Sequence, residues 1–333
     1  MAFEPHAIKN QEVRMFKGMV LWVAIAAMLP LAAVPQISGE EVQVEWGEGC
    51  FEGYGGVEIY YQYWRPDEPI ASMVLVHGFG EHSGRYDYMG RYFAGLGLAS
   101  YALDHRGHGK SGGPRWNPGD FDYYIYDLKS FVEMVKELEE DERVFMLGHS
   151  LGGTISLKYA MTHCGDLKAL VVSGPGLGTY FELPVIGRIA LPMLMIRIMA
   201  PLLGLVAKFL PNMGMPGTQI DPQYLNHDPD NYNAYADDPL VCHEPMKMRF
   251  SAETSEALLW IQDNPKKLRV PTLFLAGSED ILVPPDCVRD FYEKVTIEDK
   301  GFIIYDGFYH EIFNEMGKEV VYRDATEWLS PRL

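Results

Sequence analysis

From Val57 to Trp64 the chain reads VEIYYQYW, a run of β-branched and aromatic residues that predicts a strand. Met73–Val76 is a continuous apolar run ending at His77-Gly78, the pattern of a central strand buried on both faces. Helical spacing follows over Tyr86–Leu96, then a strand over Ala99–Leu103 and a long amphipathic helix over Phe121–Glu139. Val144–Leu147 predicts another buried strand and Leu151–Met161 another helix. Leu170–Ser173, Thr272–Ala276 and Phe302–Tyr305 complete the strands, with helices near Asp286–Lys294 and Glu315–Leu329. Strands and helices alternating in this way predict an α/β fold, a mostly parallel central sheet with helices on both faces.

One region breaks the rhythm. From Gly176 to about Phe250 no strand signal is visible, and Leu183–Leu210 is rich in Leu, Met and Ile, interrupted by Arg188, Arg197 and Lys208. An insertion of this size between two sheet strands predicts a helical cap over residues 176–250, with the α/β core formed by residues 42–175 and 251–333. Arg188, Arg197 and the interspersed prolines and glycines argue against a membrane span there.

The first 41 residues have their own pattern. Gly18–Val34 reads GMVLWVAIAAMLPLAAV, preceded by Lys9, Arg14 and Lys17 and followed by Glu40, Glu41, Glu45 and Glu48. A basic flank, an apolar stretch and an acidic exit fit a signal peptide or a single anchoring helix with its N-terminus inside. Either route places the folded domain outside the cytoplasm, tethered or secreted. The apolar core is at the lower limit for a span, and Pro30 interrupts it.

Composition adds two constraints. With 47% apolar and 22% charged residues in 333, the chain can bury a sizeable core. A net charge of −18 argues against nucleic acid as a partner, since phosphate is repelled by such a surface. Cys50, Cys164, Cys242 and Cys287 form no C-x-x-C pair, so no zinc site is signalled, while one long-range disulfide stays compatible with export.

The strongest chemical signal is Gly148-His149-Ser150-Leu151-Gly152, directly after a predicted buried strand and before a predicted helix. G-x-S-x-G in that setting is a nucleophile elbow: the glycines permit a sharp turn that exposes Ser150, and the helix aims its N-terminal amides at a developing oxyanion. Serine is a poor nucleophile at neutral pH and needs a base. His310 follows the last predicted strand and Asp280 the one before it, in the order Ser…Asp…His. Glu279 is the alternative acid. The oxyanion hole is expected from the amide of Leu151 and that of Phe79, in the loop His77-Gly78-Phe79-Gly80-Glu81-His82. His77, His82, His105 and His108 read as hydrogen-bonding residues that hold these loops, and His163, His227 and His243 as structural or solvated.

His77-Gly78-Phe79-Gly80-Glu81-His82-Ser83-Gly84-Arg85-Tyr86 resembles the HGxGEHxxRY signature of the monoacylglycerol lipase and lysophospholipase branch of the α/β-hydrolases. Asp104-His105-Arg106-Gly107-His108-Gly109-Lys110-Ser111 is similar to that branch's DxRGHGxS turn. The GHSLGG elbow, the surroundings of Asp280 and His310, and the Asp238-Pro239-Leu240-Val241 stretch match as well. The likeness covers roughly residues 45–330 and departs over Thr179–Gly217. It implies an α/β-hydrolase fold and a cofactor-free serine esterase acting on fatty acyl esters, monoacylglycerols first, with lysophospholipase or general carboxylesterase activity as the alternative. A non-catalytic lipid-binding scaffold is the reading of another class. The resemblance also implies a cap that meets a membrane surface, and it brings Cys242 near the pocket, where the residue itself reads as a packed thiol.

Overall fold

The computed structural model describes residues 42–183 and 187–333; the expected leader or anchor, residues 1–41, lies outside the described residues. The chain runs β1 (Val44–Glu52), β2 (Glu58–Pro66), β3 (Ala71–Val76), α1 (Asp87–Gly95), β4 (Leu98–Leu103), α2 (Asp122–Glu139), β5 (Val144–His149), α3 (Leu151–Thr162) and β6 (Ala169–Ser173). Then come β7 (Tyr180–Leu183), β8 (Gly187–Ala190), α4 (Met193–Phe209), α5 (Pro229–Asp237), α6 (Met248–Asp263), β9 (Thr272–Gly277), α7 (Pro285–Lys294), β10 (Lys300–Tyr305) and α8 (Glu319–Leu329).

Eight strands form one sheet in the order β1-β2-β4-β3-β5-β6-β9-β10. β1 and β2 run antiparallel, as do β2 and β4, and all the remaining pairs are parallel. Every residue of β3, β4, β5, β6 and β9 is buried, which is why these strands read as unbroken apolar runs. Their side chains alternate between two cores. Val74, Val76, Val144 and Met146 face the layer with Phe131, Ile155, Ile261 and Phe291 from α2, α3, α6 and α7. Met73, Leu75, Phe145 and Leu147 face Phe93, Tyr322 and Leu329 from α1 and α8.

The structure departs from the sequence pattern at several places. The edge strand β1 carries Glu45, Glu48 and Glu52 with Gly47 and Gly49, and its charged, half-exposed run hides it from a hydropathy reading. Within the inserted region, expected to lack strands, β7 and β8 pair antiparallel; four residues each are too few for alternation to register. The apolar stretch expected over Leu183–Leu210 is helical only from Met193, and α4 retains Pro201 inside it. α6 crosses the expected cap boundary and packs Met248 and Ala252 against Ala207 of α4. α8 starts four residues later than expected, after Gly317 adopts φ +89°.

Among the described residues no helix is long and apolar enough to cross a membrane. Cys50, Cys164, Cys242 and Cys287 are all free thiols, so the disulfide held open by the sequence is not formed.

Candidate active site

β5 delivers the chain to Ser150 and α3 carries it away in the next residue. Ser150 is held at φ 54°, ψ −118°, a conformation costly for a residue with a Cβ. The turn is this tight because Gly152 lies under β3: a Cβ there would sit 2.0 Å from the carbonyl oxygen of Val76. The amide of Ser150 donates to the Ser173 carbonyl of β6 at 2.9 Å, which fixes the elbow to the next strand.

His310 arrives on the connection after β10, and Asp280 on that after β9. Their side chains meet with Nδ1 of His310 2.7 Å from Oδ2 of Asp280, both buried. The other oxygen of Asp280 accepts the amides of Leu282 at 2.8 Å and Val283 at 2.9 Å, so the carboxylate cannot turn away. With Nδ1–H committed to Asp280, Nε2 of His310 is the nitrogen left to accept a proton. Glu279, the alternative acid, is exposed, and among the described residues no hydrogen bond or ion pair joins it to His310. The pair lies against Gly174, just beyond the Ser173 carbonyl that holds the elbow: a Cβ on Gly174 would stand 3.1 Å from the His310 ring. Among the described residues no hydrogen bond joins the Ser150 hydroxyl to His310, whose bonded partner is Asp280.

Burial alone would lower the pKa of His310. The charge and hydrogen bond of Asp280, joined by Glu311 and Glu81, carry it above the ordinary histidine value. An imidazole raised in this way holds a proton well once it has taken one.

The loop after β3 closes the other side. A Cβ on Gly78 would lie 3.2 Å from Cβ of Ser150, so this loop touches the elbow serine. Among the described residues, the amides of Phe79 and Leu151 have no acceptor, which leaves both available to an oxyanion. The loop is set by histidines. Nδ1–H of His77 donates to Gly78 O at 2.8 Å, its Nε2 accepts the amide of His105 at 2.9 Å, and Nε2–H of His105 returns to His77 O at 2.9 Å. Burial drives both rings well below the usual histidine pKa, so they remain neutral and can both donate and accept. His82 bonds Asp238 of the cap at 2.8 Å. His108 bonds the Arg106 carbonyl at 3.1 Å. Cys242 is buried, its amide 2.7 Å from Gly80 O, which ties the end of the cap to the same loop.

One contact in the site joins motifs that the sequence shows only separately. Arg85 Nη1 lies 2.6 Å from Glu81 and 2.7 Å from Glu311, and Nη2 lies 2.9 Å from the second oxygen of Glu311. Glu81 in turn accepts the amide of Gly78 at 2.6 Å and the hydroxyl of Tyr86 at 2.9 Å. Burial raises the pKa of Glu81 despite Arg85. Glu311, equally buried, is held down to about 2 by the two-pronged contact with the guanidinium. The arginine thus joins the loop carrying Phe79 to the loop carrying His310.

Comparison with known proteins agrees with this architecture. Residues 67–317 match the family described as serine aminopeptidase, S33. The chain is 34% identical over 293 residues to the monoacylglycerol lipase of Mycolicibacterium smegmatis, covering 86% of this chain and 98% of that one. It is 31% identical over 286 residues to human monoglyceride lipase, covering 83% and 88%. The crystal structure of Paleococcus ferrophilus monoacylglycerol lipase superposes with a TM-score of 0.69 at 27% identity, covering 87% of this chain and all of that one. The fold, the family match and these relatives together make the chain a member of the S33 family of α/β-hydrolase-fold serine hydrolases, on the branch that includes the monoacylglycerol lipases.

Proposed function

We propose that the chain hydrolyses monoacylglycerols to glycerol and fatty acid through an acyl-enzyme on Ser150. The observation that carries this reading is the His310–Asp280 pair, buried against the elbow in a chain whose relatives are monoacylglycerol lipases. His310 takes the proton of Ser150 as Oγ attacks the ester carbonyl, and Asp280 stabilises the imidazolium. The amides of Phe79 and Leu151 receive the oxyanion, each contributing about 3 kcal/mol to lowering the barrier. Glycerol leaves with the proton from His310; the same residue then activates water, which releases the acid.

The family's descriptive name belongs to an aminopeptidase, but the site favours an ester. An aminopeptidase needs a carboxylate for the substrate ammonium, and Glu81 and Glu311 beside the triad are both committed to Arg85. The cap supports a lipid substrate. Leu194, Ile198, Leu202, Leu205 and Phe209 form an exposed stripe at helical spacing along α4, widened by Met195, Leu210 and Met213. Such a face fits a membrane interface from which a monoacylglycerol is drawn. The segment Gly18–Val34 acts either as an anchor, which supplies a second attachment, or as a leader removed on export, and both place the enzyme outside the cytoplasm; N-terminal sequencing of the mature protein separates the two.

The function is tested by fatty acid release from a monoacylglycerol, from lysophosphatidylcholine and from a short p-nitrophenyl ester, with Ser150→Ala in parallel. Rapid release from the monoacylglycerol, abolished by the substitution, is expected. Activity on the p-nitrophenyl ester alone would reject the lipase assignment and keep the triad. Inactivity on all three would favour a binding scaffold.

A further inference from the structure

His310 stands on an irregular connection. β10 ends at Tyr305 and α8 begins at Glu319, with turns and a short 3-10 segment between them. A general base on such a segment needs an external hold, since small misplacement of a catalytic group costs large factors in rate.

One buried carboxylate gathers this connection. Glu315 accepts the amide of Tyr309 at 2.9 Å through Oε1 and that of Met316 at 3.2 Å through Oε2. The same two oxygens reach into the cap. Oε2 accepts the amide of His227 at 3.0 Å, and Oε1 accepts Nδ1–H of the His227 ring at 2.8 Å. That ring lies over Tyr309 with centroids 3.8 Å apart.

On the other side of His310 the arrangement repeats. The amide of Glu311 donates to Leu225 O at 2.7 Å, and Nδ2 of Asn226 donates to the Glu311 carboxylate at 3.0 Å. The cap segment Leu225–His227 therefore stacks on Tyr309, just before His310, shares Glu315 with its amide, and bonds directly to Glu311, just after it. Four N–H donors converge on Glu315, which suits a carboxylate and no neutral side chain of its size.

We propose that Glu315 is a positioning residue for the reaction: with His227 it latches the cap to the histidine connection, so that the seating of the cap sets the alignment of His310. The proposal rests on His310 as the general base. It makes the cap part of the catalytic geometry in addition to its part in binding the substrate.

The test uses the full chain carrying Glu315→Gln, His227→Ala, or both, with His310→Ala as control. The readouts are kcat and KM on a water-soluble short-chain ester, and the thermal midpoint. Glu315→Gln is expected to lose kcat by up to about a hundredfold with KM changed less than about threefold. His227→Ala removes a ring 37% exposed, so it is expected to fold normally and to lose kcat by about tenfold. The double variant should be no worse than Glu315→Gln, because both changes open the same latch. Wild-type kcat in His227→Ala, or multiplied losses in the double variant, overturns the proposal; if Glu315→Gln fails to fold, His227→Ala alone decides. Activity retained by His310→Ala would instead reject the assignment of the base.

Discussion

His149 packs its ring against that of His310, with centroids 4.7 Å apart, and the two neighbours titrate in opposite directions. Burial, aided by the charge of His310, drives His149 down to about 3. His310 is carried above 6.5 despite its burial, because Asp280 is bonded to it and Glu311 and Glu81 lie near. His149 is therefore a neutral wall beside His310.

The pH dependence follows from the sign of the His310 shift. A general base acts only when deprotonated, so a raised pKa moves the acid limb of kcat/KM to higher pH. A profile of kcat/KM against pH is expected to show that limb above 6.5, with activity falling as pH drops through it. A limb at or below 6.5 would mean that Asp280 does not act on His310 as described.

Gly174 tests the seat of the pair. Its φ of +48° disfavours any residue with a Cβ, and that Cβ would stand 3.1 Å from His310 and 3.4 Å from Asp280 Oδ2. Gly174→Ala is expected to cost about 1–2 kcal/mol of stability from the backbone alone. It should also lower kcat by more than tenfold, which steady-state kinetics on a short ester would measure.

Arg85 sits between two buried carboxylates, and removing it leaves both without their shared cation. Arg85→Met is expected to destabilise the fold by about 3–5 kcal/mol, read as a fall in Tm on the order of 10 °C. An unchanged Tm would show that this network contributes little to stability.

The stripe on α4 can be separated from the chemistry. Ile198 and Leu202 are both 61% exposed, so Ile198→Glu with Leu202→Glu should leave Tm and short-ester hydrolysis close to wild type. Cosedimentation with phospholipid vesicles is expected to fall several-fold, together with the rate on vesicle-borne monoacylglycerol. Equal vesicle binding by the variant would remove α4 from the interface.

The parts legible in the sequence were those governed by local rules. Strands buried on both faces announce themselves as apolar runs, and the motifs around Ser150, Asp280 and His310 place each residue after a strand of the parallel sheet, where the structure also has them. β1 is hidden in the sequence because an edge strand can be charged and glycine-rich. β7 and β8 were too short to show a period. The arrangement of Glu81, Arg85 and Glu311 has another cause of invisibility: Arg85 and Glu311 are 226 positions apart, and no pattern along a chain reports a contact made only by the tertiary fold.

The backward-turned backbone at Ser150 has a consequence for endurance. Glycine tolerates that φ with little penalty, whereas serine gives up on the order of 1–3 kcal/mol to adopt it. Ser150→Gly is therefore expected to yield a hardier, inert protein with a raised melting point. The living enzyme gives up that durability to keep one hydroxyl exposed, a compromise between lasting and reacting set within a single residue.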